Sequence, residues 1–355
     1  MKVLHPLSMI ASPSSLSGLK PNSATLWQTS DRIRRSPQNP ILTAGDIPYH
    51  ATLIFNAGVC KFQGRYVMVF RNDFGDADTK TLEGKNLGLA FSTDGISWEV
   101  ASTPINADPA HPLYGCYDPR LTVIEGRVYL CFARGHCIGG HKDDRGTCGG
   151  IAVTDDFENW EVLNVSAPDN RNMVLFPERI DGKLVRLERP FAGYLRPGEP
   201  YDIWMSKSPD GRYWGETDLL LTTADISWVN NKIGPAAPPV KTPQGWLTLF
   251  HGVDIDPGRK GWGWHGDWTK RYSAGVMLLD LQNPQKIIGI CRQPVMVPDP
   301  GIPYECSGYR DHVIFPGGMI LEDNGEVKIY YGSADTVECL ATADVEDLLA
   351  LCEPL

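Results

Sequence analysis

The sequence comes round to the same pattern five times, and any fold proposed for it must accommodate that repeat. A glycine opens each round: Gly64-Arg65-Tyr66, Gly126-Arg127-Val128, Gly182-Lys183-Leu184, Gly245-Trp246-Leu247 and Gly325-Glu326-Val327. An alternating apolar run follows, as in Tyr66 to Phe70 or Lys328 to Tyr331. Next comes a second short strand: Gly88-Leu89-Ala90, Gly150-Ile151-Ala152, Asp202-Ile203-Trp204, Ala274-Gly275-Val276 and Cys339-Leu340-Ala341. In the first three rounds it runs on into an Asp-bearing turn followed by a Trp, from Ser92 to Trp98, Thr154 to Trp160 and Ser208 to Trp214. The openers stand 62, 56, 63 and 80 residues apart, a length that fits one four-stranded antiparallel blade with its loop. Five such units predict an all-β chain, a five-bladed β-propeller with its active site in a central channel.

A repeat that extends from about residue 50 to the C-terminus leaves no room for a second core in 355 residues. The expected organisation is an N-terminal arm over residues 1–40 and one propeller catalytic domain over residues 41–355. The arm is rich in Ser, Pro and Arg from Pro13 to Pro40, and is suited to closing the ring or to contacting another subunit in a homo-oligomer. A net charge of −10 opposes nucleic acid and anionic membrane as partners, though not a local basic site for a small anion. Met1 to Lys20 lacks the basic start and apolar stretch of a signal peptide, and no segment approaches the ~20 apolar residues of a membrane span. Nine cysteines, an odd number without paired spacing, read as free thiols in a reducing compartment, so a cytoplasmic protein is expected.

Six stretches place charges and aromatics where strands begin or end. Tyr114-Gly-Cys-Tyr-Asp-Pro-Arg120 sets Asp118 before a proline, which biases it towards an extended conformation. There it acts either as general acid on a leaving oxygen or as a turn residue paired with Arg120. Glu178 and Arg189 flank the third opener; they pair with each other, or face the axis where Arg189 grips an anion with its guanidinium fork. Lys232, in Asn230-Asn-Lys-Ile-Gly234, offers a second cation. Asn56, then Arg71 with Asp73, then His251 with Tyr272, and finally Asp335 put polar groups at strand ends. Such groups suit sugar hydroxyls, and Trp262, Trp264 and Trp268 in one Gly-rich loop suit the apolar side of a sugar ring. Cys131, His136, Cys137, His141 and Cys148 supply soft ligands but match no common zinc spacing, and no metal is expected.

Tyr117-Asp-Pro-Arg120, Phe176-Pro-Glu178, Glu188-Arg-Pro190, Lys232-Ile-Gly234, Phe250-His-Gly-Val253 and Tyr330-Tyr-Gly-Ser-Ala-Asp-Thr336, in this order, resemble glycoside hydrolase family 130, the β-mannoside phosphorylases and related β-mannosidases. The resemblance runs from about Asn39 to Cys352. It implies an inverting enzyme acting on β-1,2- or β-1,4-linked manno-oligosaccharides with inorganic phosphate as co-substrate and no metal or organic cofactor. It further implies that Asp118 is the acid, working through the mannose 3-hydroxyl, and that Arg189, Lys232 and Asn56 bind phosphate. Arg71, Asp73, His251, Tyr272 and Asp335 would hold the sugars. Some family phosphorylases carry arginine in place of Glu178 and serine in place of Ala57, so two phosphate contacts are absent here. Glu178 as a base that activates water is the hydrolytic alternative, and a non-catalytic sugar-binding propeller is the third. Two cations and an intact Asp118 favour phosphorolysis, giving α-mannose 1-phosphate, because phosphate is already an anion and needs positioning rather than a base.

Overall fold

The computed structural model describes residues 27–137, 145–190 and 200–354. Five antiparallel sheets follow one another along the chain. The first blade is built from Leu53–Phe62, Arg65–Asp76, Thr81–Ser92 and Glu99–Val100. Cys116–Ile124, Arg127–Cys137, Arg145–Thr154 and Glu161–Val165 make the second, and Asn170–Leu175, Leu184–Pro190, Ile203–Ser208 and Gly215–Leu221 the third. In the fourth, Lys232–Pro235 and Val240–Thr242 both pair with Gly245–Ile255, which continues into Lys270–Leu279 and Ile287–Ile290. Ile314–Leu321, Glu326–Ser333 and Val337–Asp344 make three strands of the fifth, and its outer strand is Arg34–Arg35 from the arm.

The arm is described only from Trp27 onward, so any subunit contact made by its earlier residues lies outside the described residues. What is described closes the ring. Arg34 pairs with Thr342 and Arg35 with Ala341, and the Asn39 amide donates to Leu340 O at 2.9 Å. Across the same seam the Tyr330 hydroxyl donates to Gly95 O at 2.8 Å. Gly95 has φ +76°, and a Cβ there would sit 2.5 Å from that hydroxyl, so the contact requires a glycine.

The opener glycines turn out to be hairpin turns between the innermost and second strand of each blade, so every blade begins one strand earlier than the repeat in the sequence suggested. Gly64, Gly126, Gly182 and Gly325 have positive φ, and Gln63, Glu125 and Asp181 before the first three share it. Two successive left-handed residues match the right-handed twist of the strands they join. The Asp turns repeat down to single bonds. Asp94, Asp156 and Asp210 each accept two backbone N–H groups through Oδ1, while Ser92, Thr154 and Ser208 each accept two more. Trp160 and Trp214 then bond back to the carbonyls of Phe157 and Gly211.

One further feature of the innermost strands positions the site. In the first three blades the pairing register slips, between Phe55 and Gly58, Tyr117 and Arg120, and Arg171 and Val174. Inside each slip lies a left-handed residue: Asn56 at φ 56°, Asp118 at 52° and Asn172 at 56°. Asp118 is therefore not extended, as Pro119 had suggested. A bulge tolerates Asn and Asp in that conformation and turns their side chains out of the ladder.

Candidate active site

A cavity of about 350 Å³ opens at one end of the axis. The three bulges put Asn56, Asp118 and Asn172 on its wall, and the second strands add Arg71 and Arg189. From the later blades come Lys232, Tyr272 and Asp335. Seven of the ten residues expected from the sequence thus line one cavity.

Asp118 lies at the centre of the polar network. The Asn56 amide donates to its Oδ1 at 3.0 Å, and Arg71 donates to the same oxygen at 3.1 Å. Among the described residues Oδ2 takes no hydrogen bond. Burial works to raise this carboxyl, but Arg71, the Asn56 amide and Arg120 together hold it below the ordinary aspartate value. Arg120 makes no pair with it; its guanidinium is buried and donates to Ala236 O of the fourth blade at 2.6 Å and to Pro119 O at 2.7 Å. Asp335, left-handed at φ 49°, has the opposite fate: burial pushes it up to about 7 against the pull of Arg71, and Asp118 adds to the rise. The cavity therefore holds two carboxyls driven apart, one below the ordinary aspartate value and one raised to about 7.

Three expected residues stand elsewhere. Asp73 is buried and locks Arg71 with two bonds, 2.7 Å and 2.6 Å, so it orients a cavity residue from behind. His251 is fully buried and accepts from the Arg189 guanidinium through Nε2 at 2.9 Å, which puts its own proton on Nδ1. Burial, then Arg189 and Lys232, depress its pKa well below the usual value and keep it neutral. Gly234 explains its place in Lys-Ile-Gly: a Cβ there would meet His251 Cε1 at 2.5 Å and Arg189 Cδ at 3.2 Å. Glu178, the residue expected to activate water in the hydrolytic alternative, does not line the cavity. It follows the inner strand at its far end, its side chain is 46% exposed, and it pairs with Lys241 at 2.6 Å rather than with Arg189. Arg179 pairs with Glu125.

Cations dominate the opposite wall. Lys232 is 9% exposed, with its ammonium 5.2 Å from the centre of the Tyr272 ring, and it makes no ion pair among the described residues. Burial, with Arg189 and Lys270 next, lowers its pKa well below the usual lysine value. Burial and Arg171 push Arg189 down to about 9. Both shifts express a site that disfavours more positive charge and is relieved by an anion.

The sequence reading missed Arg171 and Asn172, which share the third bulge, and Lys85, Lys270 and Arg310 on the rim. Asn172 carried a signal in principle. Asn56 and Asp118 each stand eight residues before their opener glycine, but Asn172 stands ten before Gly182, and the longer turn hides the equivalence. Trp268 of the Gly-rich loop also lines the cavity. Of the soft-ligand group, His141 lies outside the described residues, while Cys131 packs in an apolar cluster.

Known proteins share both the sequence pattern and the fold of this chain. Residues 31–354 match the family model described as β-1,4-mannooligosaccharide phosphorylase. Over 334 residues the chain is 32% identical to a β-1,4-mannooligosaccharide phosphorylase of Ruminococcus albus, covering 90% of each chain. It is 28% identical over 322 residues to a 1,2-β-oligomannan phosphorylase of a Thermoanaerobacter species, covering 89% of this chain and 99% of that one. Among solved structures, the β-1,2-mannobiose phosphorylase of Listeria innocua in complex with β-1,2-mannobiose superposes with a TM-score of 0.74 at 25% identity, covering 90% of this chain and 99% of that one. The family match spans the ring from the arm to the last blade, and the chain belongs to glycoside hydrolase family 130.

Proposed function

We propose that this chain is an inverting phosphorylase that transfers a mannosyl group from a β-mannoside to inorganic phosphate, releasing α-mannose 1-phosphate. The observation that carries the reading is Lys232, a buried ammonium without an ion pair among the described residues, in the same cavity as Asp118 and beside Arg189. A buried cation at a substrate site calls for an anion, and phosphate is an anion that is also a nucleophile. Hydrolysis would instead need a carboxylate to activate water. Glu178, the candidate for that task, faces away to Lys241.

In this mechanism phosphate attacks the anomeric carbon while Asp118, acting through the mannose 3-hydroxyl, supplies the proton that the leaving oxygen needs. The proton balance closes, because the proton lost by hydrogen phosphate ends on the released alcohol. Arg71 and Asn56 hold Asp118 below the ordinary aspartate value. A phosphate dianion among the cations opposes charge on Asp118, so the co-substrate itself favours the protonated acid. Lys232 and Arg189 neutralise the nucleophile, His251 keeps Arg189 in place, and Arg71, Tyr272 and Asp335 hold the sugar. A cytoplasmic setting goes with this reading, since eight of the nine cysteines are free thiols.

The test is product identity. Purified protein incubated with β-1,4- and β-1,2-mannobiose is expected to release mannose 1-phosphate when phosphate is present and almost no mannose without it. Release of free mannose at an equal rate in phosphate-free buffer, with no sugar phosphate formed, overturns the phosphorylase reading.

A further inference from the structure

The cavity does not end at its rim. The hairpin joining Ile255 to Lys270 in the fourth blade carries a long loop with three tryptophans. Two of them have ring partners. Trp268 stacks on Tyr272 with centroids 6.3 Å apart and planes 11° from parallel, and Tyr272 stacks in turn on His251 at 6.1 Å and 22°. Trp264 meets Tyr309 edge-on at 5.5 Å. An aromatic column thus climbs from the anion end of the cavity to the loop. The third, Trp262, is 76% exposed and has no ring partner among the described residues.

An exposed indole at a loop tip is ordinary; one whose backbone is fixed this thoroughly is not. The N–H groups of Trp262 and Gly263 both donate to Oδ2 of Asp311, the latter at 2.9 Å, and Asp311 is 1% exposed. Its Oδ1 accepts from Gly308 N at 2.9 Å, and Trp264 N donates to Gly308 O at 2.8 Å. From the first blade's hairpin, Lys80 Nζ donates to Gly263 O at 3.0 Å. Glycines on both sides make the close seating feasible. A Cβ on Gly261 would sit 2.6 Å from His265 O, and one on Gly263 would sit 1.9 Å from Gly308 O. A buried carboxylate therefore fixes the backbone beneath an exposed aromatic ring before any ligand arrives, which removes the backbone part of the ordering cost of stacking against it.

We propose that Trp262 is the stacking face of a distal sugar site, which takes the third sugar of a manno-oligosaccharide whose first two sugars occupy the cavity. This rests on the phosphorylase reading for the first two positions. A pyranose presents an apolar face of C–H groups to an aromatic ring and a rim of hydroxyls to polar neighbours. Lys80, whose Nζ donates to Gly263 O at 3.0 Å, puts an ammonium group on the same loop. A peptide or lipid partner would call for a contiguous apolar patch, and the loop offers one ring among glycines and charges.

The experiment compares mannotriose with mannobiose, in both β-1,4 and β-1,2 linkages, as substrates of the intact wild-type chain and of Trp262→Ala and Trp262→Phe. For the preferred linkage, wild type is expected to use mannotriose about threefold to tenfold better in kcat/KM, the yield of one aromatic stacking contact. Trp262→Ala brings that ratio to about one, and Trp262→Phe restores most of it. A ratio unchanged by Trp262→Ala, or equal use of both sugars by wild type in both linkages, overturns the proposal. Calorimetric titration of mannotriose into wild type and Trp262→Ala separates this failure from failure of the phosphorylase reading. If no substrate yields mannose 1-phosphate but Trp262→Ala still weakens mannotriose binding by a similar factor, the distal site stands and the reaction does not. Equal mannotriose affinity in the two proteins removes the distal site whatever the reaction proves to be.

Discussion

The ring has a cavity at each end of its axis, about 350 Å³ at one end and about 340 Å³ at the other, both cut from the same innermost strands. Their walls differ completely. One displays Asn56, Asp118 and Asn172; the other displays Val59, Leu121 and Met319 with Pro238 and Pro239. The change takes three residues along a strand, from Asn56 to Val59 or from Asp118 to Leu121. Between them lies a partition of buried charge. Arg120 reaches across to the fourth blade, and Glu338 accepts from Ala57 N at 3.1 Å. Charges at the apolar end cancel locally, since Glu178 pairs with Lys241, whereas those at the polar end converge on a space. In the first three blades the innermost strand turns polar side chains into the cavity where a bulge breaks its pleat.

The variant most able to break this contrast is Asp118→Asn, which leaves the bulge intact but removes the proton donor. Turnover is expected to fall by ~10²–10⁴-fold with the melting temperature little changed. Near-normal turnover removes Asp118 from the chemistry and leaves the polar end as a binding surface. Lys232→Ala comes next. Loss of a charge-assisted contact is expected to raise the KM for phosphate about tenfold to a hundredfold and to move the KM for the sugar much less. Equal shifts in both constants place Lys232 on the sugar instead.

The partition gives a smaller, pH-dependent effect. Burial pushes the Glu338 carboxyl up to about 8, from about 4.5 in the unfolded chain. Between those values the native state binds more protons than the unfolded state, so stability falls as pH rises through the window. Glu338→Gln is therefore expected to melt a few degrees above wild type at pH 8, with the gain shrinking towards pH 5. A gain of the same size at both pH values assigns the effect to packing. Smallest of all is Glu178→Gln, expected to leave phosphorolysis within about twofold. Collapse of activity in that variant would restore Glu178 as a base and undo the contrast between the two ends.

The five blades were legible because the features that announce them are local. The paired left-handed turn at Glu125-Gly126 and the side-chain-capped turn at Asp156 each depend on a few adjacent residues, and those residues recur. Blade boundaries were read one strand late because the hairpin glycine is conspicuous and the innermost strand before it is not. The site was legible where a charge interrupts an apolar strand, as at Asp118, Arg189 and Lys232. His251 and Asp73 stand one layer behind the cavity wall, bonded to Arg189 and Arg71, since sequence does not distinguish a residue that lines a cavity from one that grips its neighbour. Glu178 is away from the cavity for a geometric reason: it lies beyond the end of an inner strand whose other end lines the cavity, and no local pattern says which end that is.

Ring closure also fixes a sequence in time. The outer strand of the fifth blade, Arg34–Arg35, is among the first described residues of the chain, and its partner Val337–Asp344 is among the last. During synthesis the early strand must wait, its hydrogen bonds unmade, until the last blade has emerged. Asn56 of the first blade and Asp335 of the fifth face one cavity, so the cavity wall is incomplete until these two blades meet. Pairings this distant in sequence form slowly. Activity should then appear in refolding as a single late event, after most strands have formed, and a chain cut short of its last blade should retain sheets but no chemistry.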